Sequence, residues 1–265
     1  MELFERHGQE QRRMRPDSRR PRMEAGATLL GFVLLREAEC DFPRFIRNLK
    51  NDWNIEADAL PEHGSMLFEA DGLRVVCSLV RAPFPGGEVE DCCGINPLWP
   101  EAEEEIDGYR AHVIVSVSGV IDPVGGHVLF TQVLCSMLKQ EQALALYMSP
   151  MVMSAEAYIQ SAMLLKEGEL PVQLWVFVGL YEESEGVSSY TVGLRHFGHE
   201  EIEVLRSSQD LTDVFELTFN IAGYIVDCGA KLNDGETIGF SEEQRLSLTL
   251  SPGIAVEGDS IKIGY

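Results

Sequence analysis

The densest run of residues able to do chemistry is Arg195-His196-Phe197-Gly198-His199-Glu200-Glu201, followed by Glu203. Two imidazoles flanked by carboxylates supply the ligand types that zinc or another divalent metal takes, and imidazoles titrating near neutral pH can serve as acid and base. The spacing works against that use. An HxxH at the end of a strand sends its rings to opposite pleat faces unless Gly198 turns the chain, and no HExxH helix or further ligand pair accompanies it. His196, His199, Glu201 and Arg195 form the candidate polar cluster, with His196 and His199 as weak metal candidates. The plainer alternative is a turn carrying exposed polar residues.

Other polar groups are less concentrated. His112 lies on a strand opposite the face of Val113, Val115 and Val117, where a lone histidine is usually a satisfied structural residue. Glu101, Glu103, Glu104, Glu105 and Asp107 could bind a cation or a basic partner, or form a solvated helix face. Pro123-Val124-Gly125-Gly126-His127 sits at an expected helix start, where free backbone amides could hold an anion or the glycines could simply loosen the first turn. A GxxxxGK[ST] loop, a GxGxxG between strand and helix, and a GxSxG nucleophile elbow are all missing from the sequence. No cofactor is expected, and catalytic residues are unassigned.

The elements that would position these groups are legible in part. Leu29 to Leu35 is an apolar run of strand length. Asp41 can cap a helix in which Phe42, Phe45, Ile46, Leu49 and Trp53 form one apolar stripe. Ser65 to Ala70 and Leu73 to Arg81 read as strands joined by Asp71-Gly72, a dipeptide suited to the positive φ angles of a tight hairpin. Pro97 and Pro100 break the next stretch into short helices around Glu88 to Cys93 and Glu101 to Ile106, and Ala111 to Ser118 is the next strand. Asp122-Pro123 opens a helix to about Gln142 that reads as a connector, with Val124, Val128, Cys135 and Leu138 on one side.

Beyond it come a strand at Ala143 to Met148, a helix from Ser154 to Lys166, strands at Val172 to Tyr181 and Val187 to Arg195, a helix from Asp210 to Cys228, and a strand at Leu246 to Leu250. The expected fold is α+β: two ferredoxin-like, split β-α-β pseudo-repeats with antiparallel sheets, joined by a connector helix. The expected division is a basic tail at 1–26, a first lobe at 27–120, the connector at 121–142 and a second lobe at 143–265. The lobes either share a sheet or pack face to face.

Length and charge narrow the function classes. The 265 residues are long enough for one large or two small domains, and 45% hydrophobic with 24% charged is a globular composition. No apolar run reaches the roughly 18 residues of a membrane span. Residues 1–22 carry seven arginines against four acids, a net of +3, and the remaining 243 carry 14 basic against 39 acidic residues, a net of −25. Such a body repels nucleic acid and anionic lipid surfaces and steers basic partners toward it, or else the excess merely confers solubility. The arginine-rich head has no apolar segment of a secretory signal. It reads as a disordered tail or an over-long start whose initiator is Met23, with a nucleic-acid-touching arm as the sharper alternative. Six scattered cysteines without a CxxC pair suggest free thiols in a reducing, cytoplasmic compartment.

One resemblance emerges from particular residues. Leu174-Trp175-Val176, Gly179-Leu180 and the run Ser189 to Gly198 resemble the bacterial domain-of-unknown-function 4261 family. Ala111-His112, Glu201-Ile202-Glu203, Asp234 to Gly239, Ser251-Pro252-Gly253, Pro83-Phe84-Pro85 and Leu98-Trp99-Pro100 are similar too. The resemblance implies no reaction and no catalytic residues to carry over. The expectation is a soluble, cytoplasmic bacterial protein acting as a non-catalytic binding module, of inhibitor or immunity type, toward a basic protein. The alternative is an enzyme with an acid-base or metal site in a cleft around His196 and His199. Oligomeric state is not legible.

Overall fold

Local signals at the start of the chain produce the elements they should. In the computed structural model, which describes residues 26–94, 96, 99–241 and 244–265, β1 (Ala27–Leu35) is followed by α1 (Phe42–Trp53), whose first turn is closed by the Asp41 carboxylate accepting from the Arg44 amide at 2.8 Å. The expectations that concern the arginine-rich head, Pro97 and Leu98 fall outside the described residues. β2 (Ser65–Ala70) and β3 (Leu73–Val80) form the expected hairpin, and Asp71 and Gly72 both take positive φ, 52° and 75°. Short helices α2 (Glu88–Gly94) and α3 (Ala102–Ile106) precede β4 (Ala111–Val120).

The next helix, α4 (Pro123–Leu138), is far more than a connector. Buried residues surround it on every side, because its apolar residues are not confined to one stripe, so it forms the centre of the core. β5 (Ala143–Met148) then pairs with β1, and β6 (Met151–Ser154) pairs with β5. The strand expected to open a second lobe thus extends the first sheet, whose order is β2-β3-β4-β1-β5-β6 with every neighbouring pair antiparallel. The physical reason is that β1 is apolar on both faces and offers both of its edges, one to β4 and one to β5.

Helices α5 (Ala155–Ala162) and α6 (Leu164–Glu167) replace one expected helix, and Gly168 ends them in the left-handed conformation. The apolar stretch from Val172 begins as a 3-10 turn, Val172–Leu174, and becomes a strand only at β7 (Phe177–Glu183). A second sheet has the order β10-β11-β12-β9-β8-β7, built from β8 (Gly186–Val192), β9 (Glu201–Ser207), β10 (Thr237–Ile238), β11 (Leu246–Pro252) and β12 (Asp259–Ile263). β9 and β12 run parallel, which corrects the expectation of purely antiparallel sheets. Among the described residues the fold is α+β with two separate six-stranded sheets whose orders differ, not two copies of one strand order.

Helix α7 (Leu211–Cys228) covers the second sheet, and Ser189 on β8 meets its Thr218 through hydroxyls 2.6 Å apart. One apolar cluster runs from β1, β3 and β4 through α4 to β9, β12 and α7. A smaller cluster lies on the other face of the first sheet, where Phe84, α2 and α3 cover Phe32, Leu34, Tyr147 and Val152. The rest of that face is open, with Leu30 and Leu67 exposed.

Candidate functional site

The run from Arg195 is shaped by its glycines and carboxylates. After β8, Gly193 at φ 129° lets the chain pass close to the Trp175 carbonyl, and Leu194–Phe197 form a 3-10 turn that Gly198 ends at φ 77°. The buried Glu201 side chain reaches back over this turn. Its carboxylate accepts from the Thr191 hydroxyl at 2.7 Å and from the amides of Gly193, Leu194 and Arg195 at 2.9, 3.2 and 3.3 Å. Every oxygen of Glu201 is therefore committed to holding the turn, and what a metal would need from it is already given to the backbone.

Glu203 plays the same part for another loop. Fully buried, it accepts from the Ile254 and Ala255 amides at 3.1 and 2.6 Å, from the Ser260 hydroxyl at 2.5 Å, and pairs with Lys262 Nζ at 2.8 Å. Burial alone would raise its pKa, but the bonds from Lys262, Ser260 and the two amides outweigh this and hold it below the usual glutamate value. Arg195 grips the same loop from outside through the carbonyls of Glu257 and, at 3.0 Å, Asp259, and it lies 4.0 Å from Glu200.

Gly198 turns the chain, yet the two histidines part company. His196 lies beside His127 of α4, ring centroids 5.7 Å apart, in a cluster with Phe197 and Trp175. His127 is buried, and its Nδ1 sits 2.8 Å from the Pro123 carbonyl. Its pKa falls to about 4, mainly through burial, which the Pro123 carbonyl opposes and His196 reinforces. His196 keeps an exposed edge, but crowding lowers its pKa against the pull of Glu201. His199 points elsewhere, into a cleft it shares with Lys231, and its pKa is lowered by burial and then by Lys231.

His112 stands apart, packed on Phe32 and Phe84 with Nδ1 2.9 Å from the Ala82 carbonyl. Among the described residues no group of three or more His, Cys, Asp or Glu side chains is placed to hold a metal, and no helix is long and apolar enough to cross a membrane. The glycines of Pro123 to His127 have a packing explanation, since a Cβ on Gly126 would stand 2.4 Å from Val120 Cγ1. No disulfide joins the cysteines among the described residues.

Sequence reasoning singled out Arg195, His196, His199 and Glu201 but did not find their partners. His127 beside His196, Lys231 beside His199 and the loop around Ala255 lie far off in the chain, and only the folded topology joins them. The alternation in Glu201-Ile202-Glu203-Val204 was the available signal that both acids leave one face of a strand.

With this geometry in place, comparison with known proteins adds one finding. Residues 190–264 match the family model described as domain of unknown function (DUF4261), which supports the resemblance over a stretch containing the turn, both buried glutamates and the His199 cleft. No curated protein and no solved structure matches the chain.

Proposed function

We propose that the chain is a non-catalytic, acidic interaction module that binds a basic protein, as an inhibitor or immunity-type protein of a bacterial cytoplasm would. The observation that carries the reading is the surface of α2 and α3. Between residues 82 and 109 stand Glu88, Glu90, Asp91, Glu101, Glu103, Glu104, Glu105 and Asp107, with no lysine or arginine among them. All eight are exposed, and none is in an ion pair among the described residues. The two helices pack side by side over the small apolar cluster, next to the open part of the first sheet where Leu30 and Leu67 are exposed. Negative potential concentrated beside apolar surface favours a partner that is basic with an apolar anchor, and disfavours nucleic acid.

The committed state of Glu201 and Glu203 also favours this reading over the enzyme alternative, because the conspicuous carboxylates of the polar run are occupied by the fold. The test is affinity capture with the wild-type chain and with a variant carrying Gln at Glu101, Glu103, Glu104 and Glu105. Partners retained at low salt should be basic, should elute as salt rises, and should be retained less by the variant. Complexes indifferent to both salt and substitution would overturn the reading.

A further inference from the structure

Opposite charges are gathered at separate places along this chain. Eight acids stand exposed on α2, α3 and the residues flanking α3, between residues 82 and 109, with no lysine or arginine among them. The densest block of positive charge is residues 12–22, where Arg12, Arg13, Arg15, Arg19, Arg20 and Arg22 stand against Asp17 alone. That block precedes the described residues. Beyond residue 22 the chain holds 14 basic against 39 acidic residues, so no other segment complements the acidic face as well.

Topology brings the two within reach. Alternate residues of β1 share a face, and there Leu34 and Phe32 pack with α2 and α3 while Leu30, two residues further back, is 48% exposed. Leu30 pairs with Ser116 of β4, Ser116 with Val76 of β3, and Val76 with Leu67 of β2. Leu67 is 55% exposed and Ser116 and Val76 are half-buried, so this row crosses the sheet uncovered beside the two helices. The chain enters β1 at Ala27, about 23 Å of strand before Leu34. A segment returning from Ala27 over this row therefore needs about seven residues to reach the helices, and Arg20 stands at that separation. Attachment to β1 gives such a segment an effective concentration of about a millimolar before any charge acts.

We propose that the arginine-rich segment 12–22 binds in cis to the acidic face of α2 and α3, crossing the row of Leu30, Val76 and Leu67. The proposal rests on the reading of this face as a docking surface and adds that the chain carries its own competitor for it. A basic partner must then displace six arginines, so only one more basic, or better anchored on the apolar row, gains the face. The contact is autoinhibitory.

The experiment compares three isotopically labelled forms of the full chain by NMR: the wild type, a head variant with Gln at Arg12, Arg13, Arg15, Arg19, Arg20 and Arg22, and a face variant with Gln at Glu101, Glu103, Glu104 and Glu105. At low salt the head variant should differ from the wild type at the amides of residues 88–107 and of Leu30, Leu67 and Val76, and added salt should carry the wild type toward it. The face variant should show the same displacement at Leu30, Leu67 and Val76 with its arginines intact. Dilution should leave the wild-type shifts unchanged, as binding within one chain requires. A short oligolysine should bind the head variant about tenfold or more tightly than the wild type. Head substitutions that move no amide of this face, that move amides elsewhere, or wild-type shifts that fade on dilution would each overturn the proposal. Equal oligolysine affinity of wild type and head variant at residues 88–107 would overturn it and leave the docking reading standing. A face that binds neither the head nor oligolysine would remove both.

Discussion

Two buried glutamates at alternate positions of one strand do the work that a reader of the sequence would reserve for chemistry. Removing the charge of Glu203 leaves Lys262, whose side chain is only 14% exposed, without its partner and loosens the loop around Ala255. Glu203→Gln should therefore cost about 3 kcal/mol of stability in urea unfolding and speed amide exchange at residues 253–258. His127 makes a pH prediction. Its folded pKa of about 4 lies below the ordinary 6.5, so the unfolded chain takes up a proton first as pH falls. The stability contributed by neutral His127 is complete above 6.5, declines toward pH 4 and amounts to about 3 kcal/mol. His127→Phe keeps the ring among Phe197 and Trp175 and should flatten that part of the stability profile, read by unfolding at a series of pH values. An unchanged slope would show that the ring is more accessible to protons than its burial implies.

At the level of elements, glycines in two helices separate packing from propensity. Gly126 in α4 abuts Val120, whereas a Cβ on Gly223 in α7 meets nothing within 4 Å. Gly126→Ala should destabilise by about 1–3 kcal/mol, while Gly223→Ala should stabilise by up to about 1 kcal/mol, both measured by thermal unfolding. The contrast also explains what the sequence could and could not reveal. Elements with strong local signals were legible: the Asp41 cap and stripe of α1, the Asp71-Gly72 hairpin, and α7 between Asp210 and Gly229. α4 was legible as a helix but not as the core, because a helix apolar all round shows little periodic contrast. β6, β9 and β12 went unassigned since they are short, carry charge, or owe their strand state to neighbours distant in sequence. Of the polar run, the turn was foreseen, but not that Glu201 and Glu203 are buried in the strand that follows it. The partners His127, Lys231 and Ala255 depend on long-range topology that no spacing rule contains.

For the molecule as a whole, charge and core are segregated. One apolar cluster spans both sheets, leaving the conspicuous carboxylates of residues 88–107 on the outside, in a body of net −25. Their mutual repulsion is a cost that a purely structural role would not require, and a basic partner would relieve it. The most direct measurement is NMR titration of the isotopically labelled chain with a short oligolysine, followed through the amide shifts at low and at high salt. An acidic docking surface predicts shifts concentrated on residues 88–107 and neighbouring β1 and β2 that vanish at high salt and shrink in the Gln variant. Shifts spread evenly over the surface, or none at low salt, would contradict it.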